Sequence, residues 1–145
     1  MPAISFTIRP TKAERDALGK GLGDYNRASH PGRLGGGERW FIARDAAGVI
    51  IAGAKCDEAW DWLYIDWLWV AEAHRRQGLG ARLLAEAEAF ARGKKLLGLH
   101  LNTWSFQAPD YYPRHGFVEA GRIADMPKGV VRHWFVKRFD AIPTG

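Results

Sequence analysis

The segment Arg75-Arg76-Gln77-Gly78-Leu79-Gly80 decides the fold, because two long regular elements meet there. Upstream, Leu63–Val70 is almost continuously apolar or aromatic, which predicts a buried central strand. Downstream, apolar residues recur at the spacing of one helix face: Leu79, Leu83, Ala87, Phe90 and Ala91. Gly93 is expected at the C-cap of that helix. The segment therefore lies at a strand-to-helix junction.

This junction has the chemistry of a pyrophosphate site. The first backbone N–H groups of a helix have no intrahelical partner, and the helix dipole favours an anion beside them. Gly78 and Gly80 would allow a close backbone approach where a Cβ would collide. Arg75 and Arg76 add charge-assisted donors. The pattern is neither G-x-x-x-x-G-K-[ST] nor G-x-G-x-x-G, so it does not indicate a nucleoside triphosphate or a dinucleotide.

The same residues match R-x-x-G-x-G, the acetyl-CoA signature of the GNAT superfamily of N-acetyltransferases, which this chain resembles. A second segment is similar to the A-x-x-[FL]-Y-x-x-x-G-F segment of GNAT enzymes: Ser105-Phe106-Gln107-Ala108-Pro109-Asp110-Tyr111-Tyr112-Pro113-Arg114-His115-Gly116-Phe117. Its S-F-Q-A-P start resembles a bacterial subgroup, and the resemblance extends from Ile4 to Phe139. It implies transfer of an acetyl group from acetyl-CoA to a primary amine of a small molecule or of a peptide or protein, by direct attack.

The predicted architecture is one α/β (α+β) domain over residues 1–145. With the resemblance it is GNAT-like: a mixed central sheet of six to seven strands and about four helices, in the order β-α-(loop)-β-β-β-α-β-α-β-β. The first strand is expected at Ala3–Ile8. A helix follows from Thr11, with Glu14 completing a capping box, to about Leu22. The other expected elements are strands at 38–44, 49–56, 94–102, 117–123 and 132–139, and a short helix at 109–115.

The resemblance assigns several residues to acetyl-CoA binding. The phosphate loop would contribute Arg75, Arg76, Gln77, Gly78, Leu79, Gly80 and Ala81. The backbone of Leu68 and Val70 would pair with the pantetheine arm, and an N–H there would hold the thioester oxygen, Val70 being better placed by motif spacing. Many family members have an asparagine where this chain has Ser105, so Asn102 and Gln107 are the candidates for that contact.

Tyr112 occupies the family's tyrosine position, which implies the general acid that protonates the departing CoA thiolate. A phenol with a pKa of ~10 lies about 1.5 units above a thiol, so the proton transfer is uphill by only ~2 kcal/mol. The alternative is an aromatic packing residue, which is the role expected of the neighbouring Tyr111.

Asp66 is a carboxylate inside an otherwise apolar strand. Burial would raise its pKa and suit a general base that takes a proton from an ammonium acceptor, directly or through water. The alternative is a structural partner of an arginine, a tyrosine or a backbone N–H.

The acceptor site is predicted from strand spacing. Trp62, Tyr64 and Asp66 should share one face with Val70, and aromatic rings beside carboxylates attract a cation. This predicts an ammonium-bearing acceptor, the alternative being that the tryptophans fill the core. Two further candidates lie in the loop-rich stretch 23–37, where they either border the acceptor site or belong to a solvated connection: Tyr25 and Asn26.

Composition bounds the other function classes. The 145 residues carry a net charge of +5, from 21 basic and 16 acidic residues, and seven tryptophans. The alternative to an enzyme is a non-catalytic module that binds CoA, or one whose tryptophans stack on single-stranded nucleic acid. The basic residues are dispersed, however, and acidic residues cluster with the tryptophans, so no nucleic-acid partner is expected.

The remaining expectations concern location and metal. No apolar run is long enough for a membrane span, and the N-terminus lacks the pattern of a signal peptide, so no membrane partner is expected. Cys56 is the only cysteine, which excludes an internal disulfide and favours the cytoplasm. No histidine or cysteine has metal-ligand spacing, so no metal is expected. A homodimer is an option that only the family suggests.

Overall fold

The structure is a computed structural model that describes residues 1–32 and 35–140. Contacts divide the chain into two compact units, one before Gly35 and one from Gly35 onward. The first unit contains helix α1, Lys12–Ser29. Its predicted capping box is confirmed: the Glu14 N–H donates to the Thr11 hydroxyl at 3.1 Å, and the Thr11 N–H donates to the Glu14 carboxylate at 2.7 Å.

Two expectations for the first unit are wrong. No strand forms at residues 3–8, because a strand requires a hydrogen-bonded neighbour and the apolar side chains of this segment are exposed. Helix α1 does not end near Leu22 but continues through Gly23 to Ser29. Two ion pairs of Asp24 support the longer helix: the pair with Lys20 spans Gly23, and the pair with Arg27 lies just beyond it. The candidates Tyr25 and Asn26 therefore lie on a helix rather than in a loop.

The second unit is a six-stranded sheet with the strand order β1-β2-β3-β4-β6-β5. Its elements are β1 Gly35–Arg44, β2 Ile50–Ala59, β3 Trp62–Val70, α2 Leu79–Gly93, β4 Gly98–Trp104, β5 Val118–Ile123 and β6 Arg132–Arg138. The β3–β4 pair is parallel and the other pairs are antiparallel, so the predicted mixed sheet is confirmed. Single 3-10 turns occur at Glu72–His74, Pro109–Tyr111 and Pro113–His115, the last two in place of the expected short helix.

Both early hairpins turn where the sequence indicates. Asp45 closes the first turn, because its carboxylate accepts the N–H groups of Ala47 and Val49 at 2.9 Å. Gly48 adopts the left-handed backbone that the turn requires, with φ +84°. The second hairpin has the two-residue turn Trp60-Asp61, and both residues are left-handed, which matches the right-handed twist of the flanking strands.

Helix α2 packs its apolar stripe on one face of the sheet. The buried helix residues are Leu83, Leu84, Ala87 and Ala91. They contact a sheet core whose largest fully buried side chains are Leu63, Leu99, Leu101 and Cys56. Gly93 is not the cap but the last helical residue, and the left-handed turn that follows is made by Lys95, with φ +59°.

A β-bulge at Asp66 divides β3 into two halves. On the neighbouring strand, Cys56 lies opposite Ile65 while Lys55 lies opposite Trp67, so Asp66 is the extra residue. The bulge reverses the alternation of side chains. The residues on the side of α2 are Leu63, Ile65, Leu68 and Val70, and those on the opposite face are Trp62, Tyr64, Trp67 and Trp69. The expectation that Trp62, Tyr64 and Asp66 share a face with Val70 is therefore wrong.

Candidate active site

A cleft opens where the parallel strands β3 and β4 separate. Their pairing runs only from Trp62↔Gly98 to Ile65↔Leu101. Beyond that point β3 continues to Val70 against β2, and β4 continues to Trp104 against β6. The two strands therefore diverge and leave a cavity of about 850 Å³ between them. Binding sites commonly form at such openings in α/β sheets.

The cleft brings together many of the predicted site residues. These are Tyr64, Asp66, Leu68, Val70, Arg75, Asn102, Gln107 and Tyr112. Sequence reasoning missed others that line it, among them Trp67, Trp69, Trp104, Phe106 and Arg132. The aromatic content around Trp67 was visible, but the face it occupies depends on the bulge. Arg132 carries no motif signal.

Three other predicted residues are not among those that line the cavity. Tyr25 and Asn26 belong to the first unit. Trp62 is on the face of β3 opposite α2. Its ring packs edge-on against His100 at 6.1 Å between centroids and lies 5.1 Å from the Arg138 guanidinium. Trp62 is half-buried and is not part of the core between the sheet and α2, so the alternative that it fills that core is not met.

The free edge of β3 presents backbone groups to the cleft. The Ala71 N–H donates to the Ile51 carbonyl at 2.8 Å, and bonded and non-bonded residues alternate along an antiparallel pair. The peptide groups of Leu68 and Val70 are therefore directed away from β2 and toward the cleft. The Arg75 guanidinium donates through Nε to the Val70 carbonyl at 3.1 Å, which leaves the Val70 N–H as a donor on this edge.

The predicted phosphate loop leads directly into α2. Gly78 is the N-cap residue with φ +79°, so a glycine is needed there for its backbone conformation. A Cβ on Gly78 would meet no atom within 4 Å. The first bond of the helix runs from the Arg82 N–H to the Gly78 carbonyl at 3.0 Å. The N–H groups just before Arg82, those of residues 79–81, have no intrahelical acceptor and are available to an anion.

Gly80 has a packing role that the sequence did not reveal. A Cβ at this position would lie 3.0 Å from the Tyr111 hydroxyl and 3.9 Å from a Val70 methyl group. The first turn of α2 therefore sits directly against Tyr111, which also packs on the core as expected. Gly80 of the predicted phosphate loop is therefore close both to Val70 on the edge of β3 and to Tyr111.

Tyr112 reaches the cleft from the end of the 3-10 turn Pro109–Tyr111. Its ring packs against Phe117 and Phe135, at 5.7 Å between centroids in each case. Burial raises the pKa of Tyr112 to about 12, and the neighbouring Tyr111 adds to the rise. Proton transfer to a CoA thiolate is then uphill by about 5 kcal/mol rather than ~2. The phenol therefore stays protonated at neutral pH, where its hydroxyl is a hydrogen-bond donor.

Asp66 is exposed, so the expectation that this carboxylate is buried in the strand is wrong. Its carboxylate lies 2.9 Å from the Lys55 ammonium, which also contacts Asp57 at 3.1 Å and Glu38 at 3.9 Å. The hydrogen bonds from Asp66 and Asp57 raise the pKa of Lys55. Three carboxylates around one ammonium give this ion cluster an excess of negative charge, and Asp66 is its member in the cleft lining.

A hydrogen-bonded chain crosses the opposite part of the cleft. The Asn102 amide donates to the Tyr64 hydroxyl at 2.7 Å, and the Asn102 carbonyl oxygen accepts from Arg132 Nε at 2.7 Å. Gln107 is turned toward β4, because its side-chain oxygen accepts from the Thr103 hydroxyl at 3.1 Å. Asn102 is therefore fixed in orientation by partners on both sides.

Cys56 is not a nucleophile in this structure. It is fully buried in the core between the sheet and α2. Burial, and the nearby charge of Asp57, raise the pKa of its thiol to about 12, so the reactive thiolate is scarce at neutral pH.

Within residues 1–32 and 35–140, no three side chains of the histidine, cysteine, aspartate and glutamate types form a group able to hold a metal ion. The helices of these same residues include none with the length and apolar character that a membrane span requires.

Comparison with known proteins supports the resemblance. The family model for the acetyltransferase (GNAT) domain matches residues 36–119. Blasticidin-S acetyltransferase of Streptomyces morookaense is 43% identical over 91 residues, which cover 62% of this chain and 67% of that protein. Acetyltransferase Atu2258 of Agrobacterium fabrum is 38% identical over 78 residues, or 54% of this chain and 57% of the relative.

Solved structures share the fold. An acetyltransferase from Bacillus cereus superposes with a TM-score of 0.83 at 32% identity, over 92% of this chain and 97% of that one. A Bacillus anthracis protein assigned as a streptothricin acetyltransferase, solved with acetyl coenzyme A, has a TM-score of 0.65 at 25% identity, over 72% and 64% of the two chains. The family match and the relatives lead to one conclusion: this chain belongs to the GNAT superfamily and is an acyltransferase.

Proposed function

We propose that the protein is an N-acetyltransferase that transfers the acetyl group of acetyl-CoA to a primary amine by direct attack. The observation that carries this proposal is the cleft between β3 and β4, where the free edge of β3 faces Asn102 and Tyr112. An extended pantetheine arm could pair with that edge like an added strand. The cleft is open to solvent, so an amine can reach the thioester.

The cosubstrate would lie along the free edge and end at the helix. Leu68 and Val70 would bond the pantetheine amides, and the pyrophosphate would meet the N–H groups of residues 79–81. Arg75 and Arg76 would add positive charge, with Gln77 in the same loop. Asn102 would contact the pantetheine arm from the other wall. Gln107 is the weaker candidate, because it already closes the turn after β4.

The chemistry needs a place for charge and for two protons. As the amine nitrogen bonds to the acetyl carbon, negative charge develops on the thioester oxygen, where the Val70 N–H would stabilise it. When the carbon–sulfur bond breaks, Tyr112 would donate its proton to the sulfur. An ammonium nitrogen has no lone pair, so before the attack it would lose one proton to Asp66 or to a water beside it. The second proton, which the nitrogen loses as the amide forms, would pass to solvent, from which Tyr112 would regain the proton it gave to the sulfur. Cys56 would take no part, since it is fully buried in the core and is not among the residues that line the cleft.

The acceptor is proposed to be a small molecule that presents an ammonium group. Tyr64, Trp67 and Trp69 line the cleft beside Asp66, and aromatic faces with excess negative charge favour a cation. Two similar proteins carry the names of blasticidin-S and streptothricin acetyltransferases, which supports a small-molecule acceptor. Tyr25 and Asn26 stay predictions for this site.

The test is a panel of primary amines that includes blasticidin S and streptothricin, incubated with acetyl-CoA. Free CoA thiol and the acetylated product, identified by mass spectrometry, should appear together in stoichiometric amounts. Cys56→Ala should retain turnover within about threefold, because no acetyl-enzyme is formed. Binding of CoA without acetylation of any amine would contradict the proposal and favour a non-catalytic module. Stabilisation by a single-stranded oligonucleotide but not by CoA would favour a nucleic-acid role.

A further inference from the structure

Arg132 is a preorganised cation in the wall of the cleft. It is the first residue of β6 and lines the cavity together with its partner Asn102. Its guanidinium carbon lies 4.4 Å from the centroid of the Trp104 ring and 5.4 Å from that of Trp134. The tryptophan rings contact the guanidinium group, and Asn102 binds its Nε. Because Asn102 is itself held by Tyr64, these contacts fix the orientation of the guanidinium.

The partners of Arg132 are neutral. They are an amide oxygen, aromatic faces and the Met126 sulfur, 4.0 Å from Nη1. Throughout the described stretches of the chain, no carboxylate lies within 4.0 Å of this guanidinium. Four other arginines of the second unit are paired with carboxylates: Arg39 with Glu58, Arg92 with Glu88, Arg122 with Glu119 and Arg138 with Asp140. Arg75, which also lines the cavity, donates instead to a backbone carbonyl, that of Val70.

Charge is therefore separated within one cleft. One wall holds Asp66 within an ion cluster that has excess negative charge, and another holds Arg132 without a counter-ion. A partly buried guanidinium with unused N–H donors binds a planar carboxylate well, often with both oxygens. Arg75, the other arginine of the lining, already donates to the Val70 carbonyl, so Arg132 is the cation that β6 contributes. One guanidinium suits a monoanion better than a phosphate dianion.

We propose that the amine acceptor also carries a carboxylate, and that Arg132 binds it. This inference rests on the proposed N-acetyltransferase activity and narrows it to amino-acid-like substrates. The ammonium lies toward Asp66, the carboxylate toward Arg132, and the intervening part of the molecule contacts the aromatic wall of Trp67 and Trp104. Arg132 is then a residue that determines specificity rather than a catalytic one.

The test compares acceptors that differ only in this charge. We chose 4-(aminomethyl)benzoate and 4-(aminomethyl)benzamide, together with β-alanine and β-alaninamide, as matched pairs. For each pair the wild-type enzyme should show a kcat/KM for the acid at least about tenfold above that for the amide. Arg132→Gln should remove this preference while the KM for acetyl-CoA stays within about twofold. Arg122→Gln, on the neighbouring strand and outside the cleft, is the matched control and should keep the preference.

Binding of the same probes to the CoA-saturated protein, measured by calorimetry, makes the inference independent of turnover. If no amine is acetylated, the proposed activity fails, yet the acid should still bind at least about tenfold more tightly than the amide. Equal binding of acid and amide by the wild type, or binding of neither, overturns the inference even if other amines are acetylated. A loss confined to acetyl-CoA affinity in Arg132→Gln also overturns it, because Arg132 would then bind the cosubstrate. The wild-type comparison decides the outcome should the variant fail to fold.

Discussion

Lys55 and Asp66 face each other across β2 and β3, with Nζ and the carboxylate oxygen 2.9 Å apart. The bulge at Asp66 places this carboxylate at the cleft, whereas Asp57, which binds the same ammonium at 3.1 Å, does not line it. The candidate base is thus already engaged with a cation. The pair Asp57 and Asp66 therefore offers a natural comparison, since both share Lys55 but only one meets the cleft.

Replacing Asp66 with Asn should lower kcat/KM for ammonium acceptors by at least about tenfold, because it removes both the attraction for the cation and the proton acceptor. Asp57→Asn is the control and should stay within about threefold. Steady-state kinetics over a range of pH checks both variants. If the pH–rate profile is unchanged in Asp66→Asn and neutral hydroxyl analogues compete as well as amines, the role of Asp66 in acceptor binding is wrong.

Tyr112→Phe should leave acetyl-CoA affinity nearly intact and lower turnover by roughly 100-fold, because the hydroxyl is lost while the ring packing remains. Burial holds the pKa of Tyr112 at about 12, so turnover of the wild type should not fall between pH 8 and about 10 through ionisation of this phenol. Tyr111→Phe, one residue earlier and outside the cleft lining, is the control. Turnover of Tyr112→Phe within twofold of wild type, when chemistry limits the rate, would mean that another group supplies the proton.

Gly80→Asp should weaken acetyl-CoA binding by at least tenfold, about 1.4 kcal/mol, because a carboxylate would oppose the pyrophosphate. Gly80→Ala separates charge from size. Its Cβ would lie 3.0 Å from the Tyr111 hydroxyl, at the far end of a side chain that can shift, so a smaller loss is expected. Calorimetry with acetyl-CoA on variants that retain the circular dichroism of the wild type measures both. Equal affinities of wild type and Gly80→Asp would rule out a phosphate site at this helix.

Acid stability should depend on Glu88, whose carboxylate lies 2.7 Å from Lys137 and 2.9 Å from Arg92. Burial acts to raise the pKa of Glu88, but the hydrogen bonds from Lys137 and Arg92 outweigh it, so the pKa is below the usual 4.5. The folded state therefore binds this proton more weakly than the unfolded chain. The stabilisation is present above about pH 4.5 and is lost as the pH falls through the folded pKa.

Glu88→Gln should accordingly lower the free energy of unfolding by about 1–2 kcal/mol at pH 7 and flatten its decline below pH 5. Glu86→Gln, an exposed position on the same helix, is the control and should do neither. Urea unfolding at pH 7, 5 and 4 gives the comparison. An identical decline in wild type and Glu88→Gln would contradict the assigned ion pairs.

Local sequence patterns predicted the structure correctly where the interactions that determine it span only a few residues. The Thr11–Glu14 capping box, the Gly48 turn and the strand–loop–helix around Gly78 are all written in short stretches, because capping, left-handed backbone and helical spacing depend on near neighbours. The strand predicted at Ala3–Ile8 was wrong because its formation depends on residues outside this short stretch. Alternating apolar residues describe a strand only if another strand is there to bond it.

Tertiary structure decided what the cleft presents. The register of β3 against β2 creates the bulge at Asp66, and one extra residue moves Trp67 and Trp69 to the face opposite α2, which no periodicity in β3 alone can indicate. Arg132 meets Asn102 across thirty positions of sequence because β6 pairs with β4. The sequence by itself determined the family, the mixed sheet and the position of the helix start. The lining charges of the cleft depend on strand pairing, because contacts between distant residues arise only when the chain has folded.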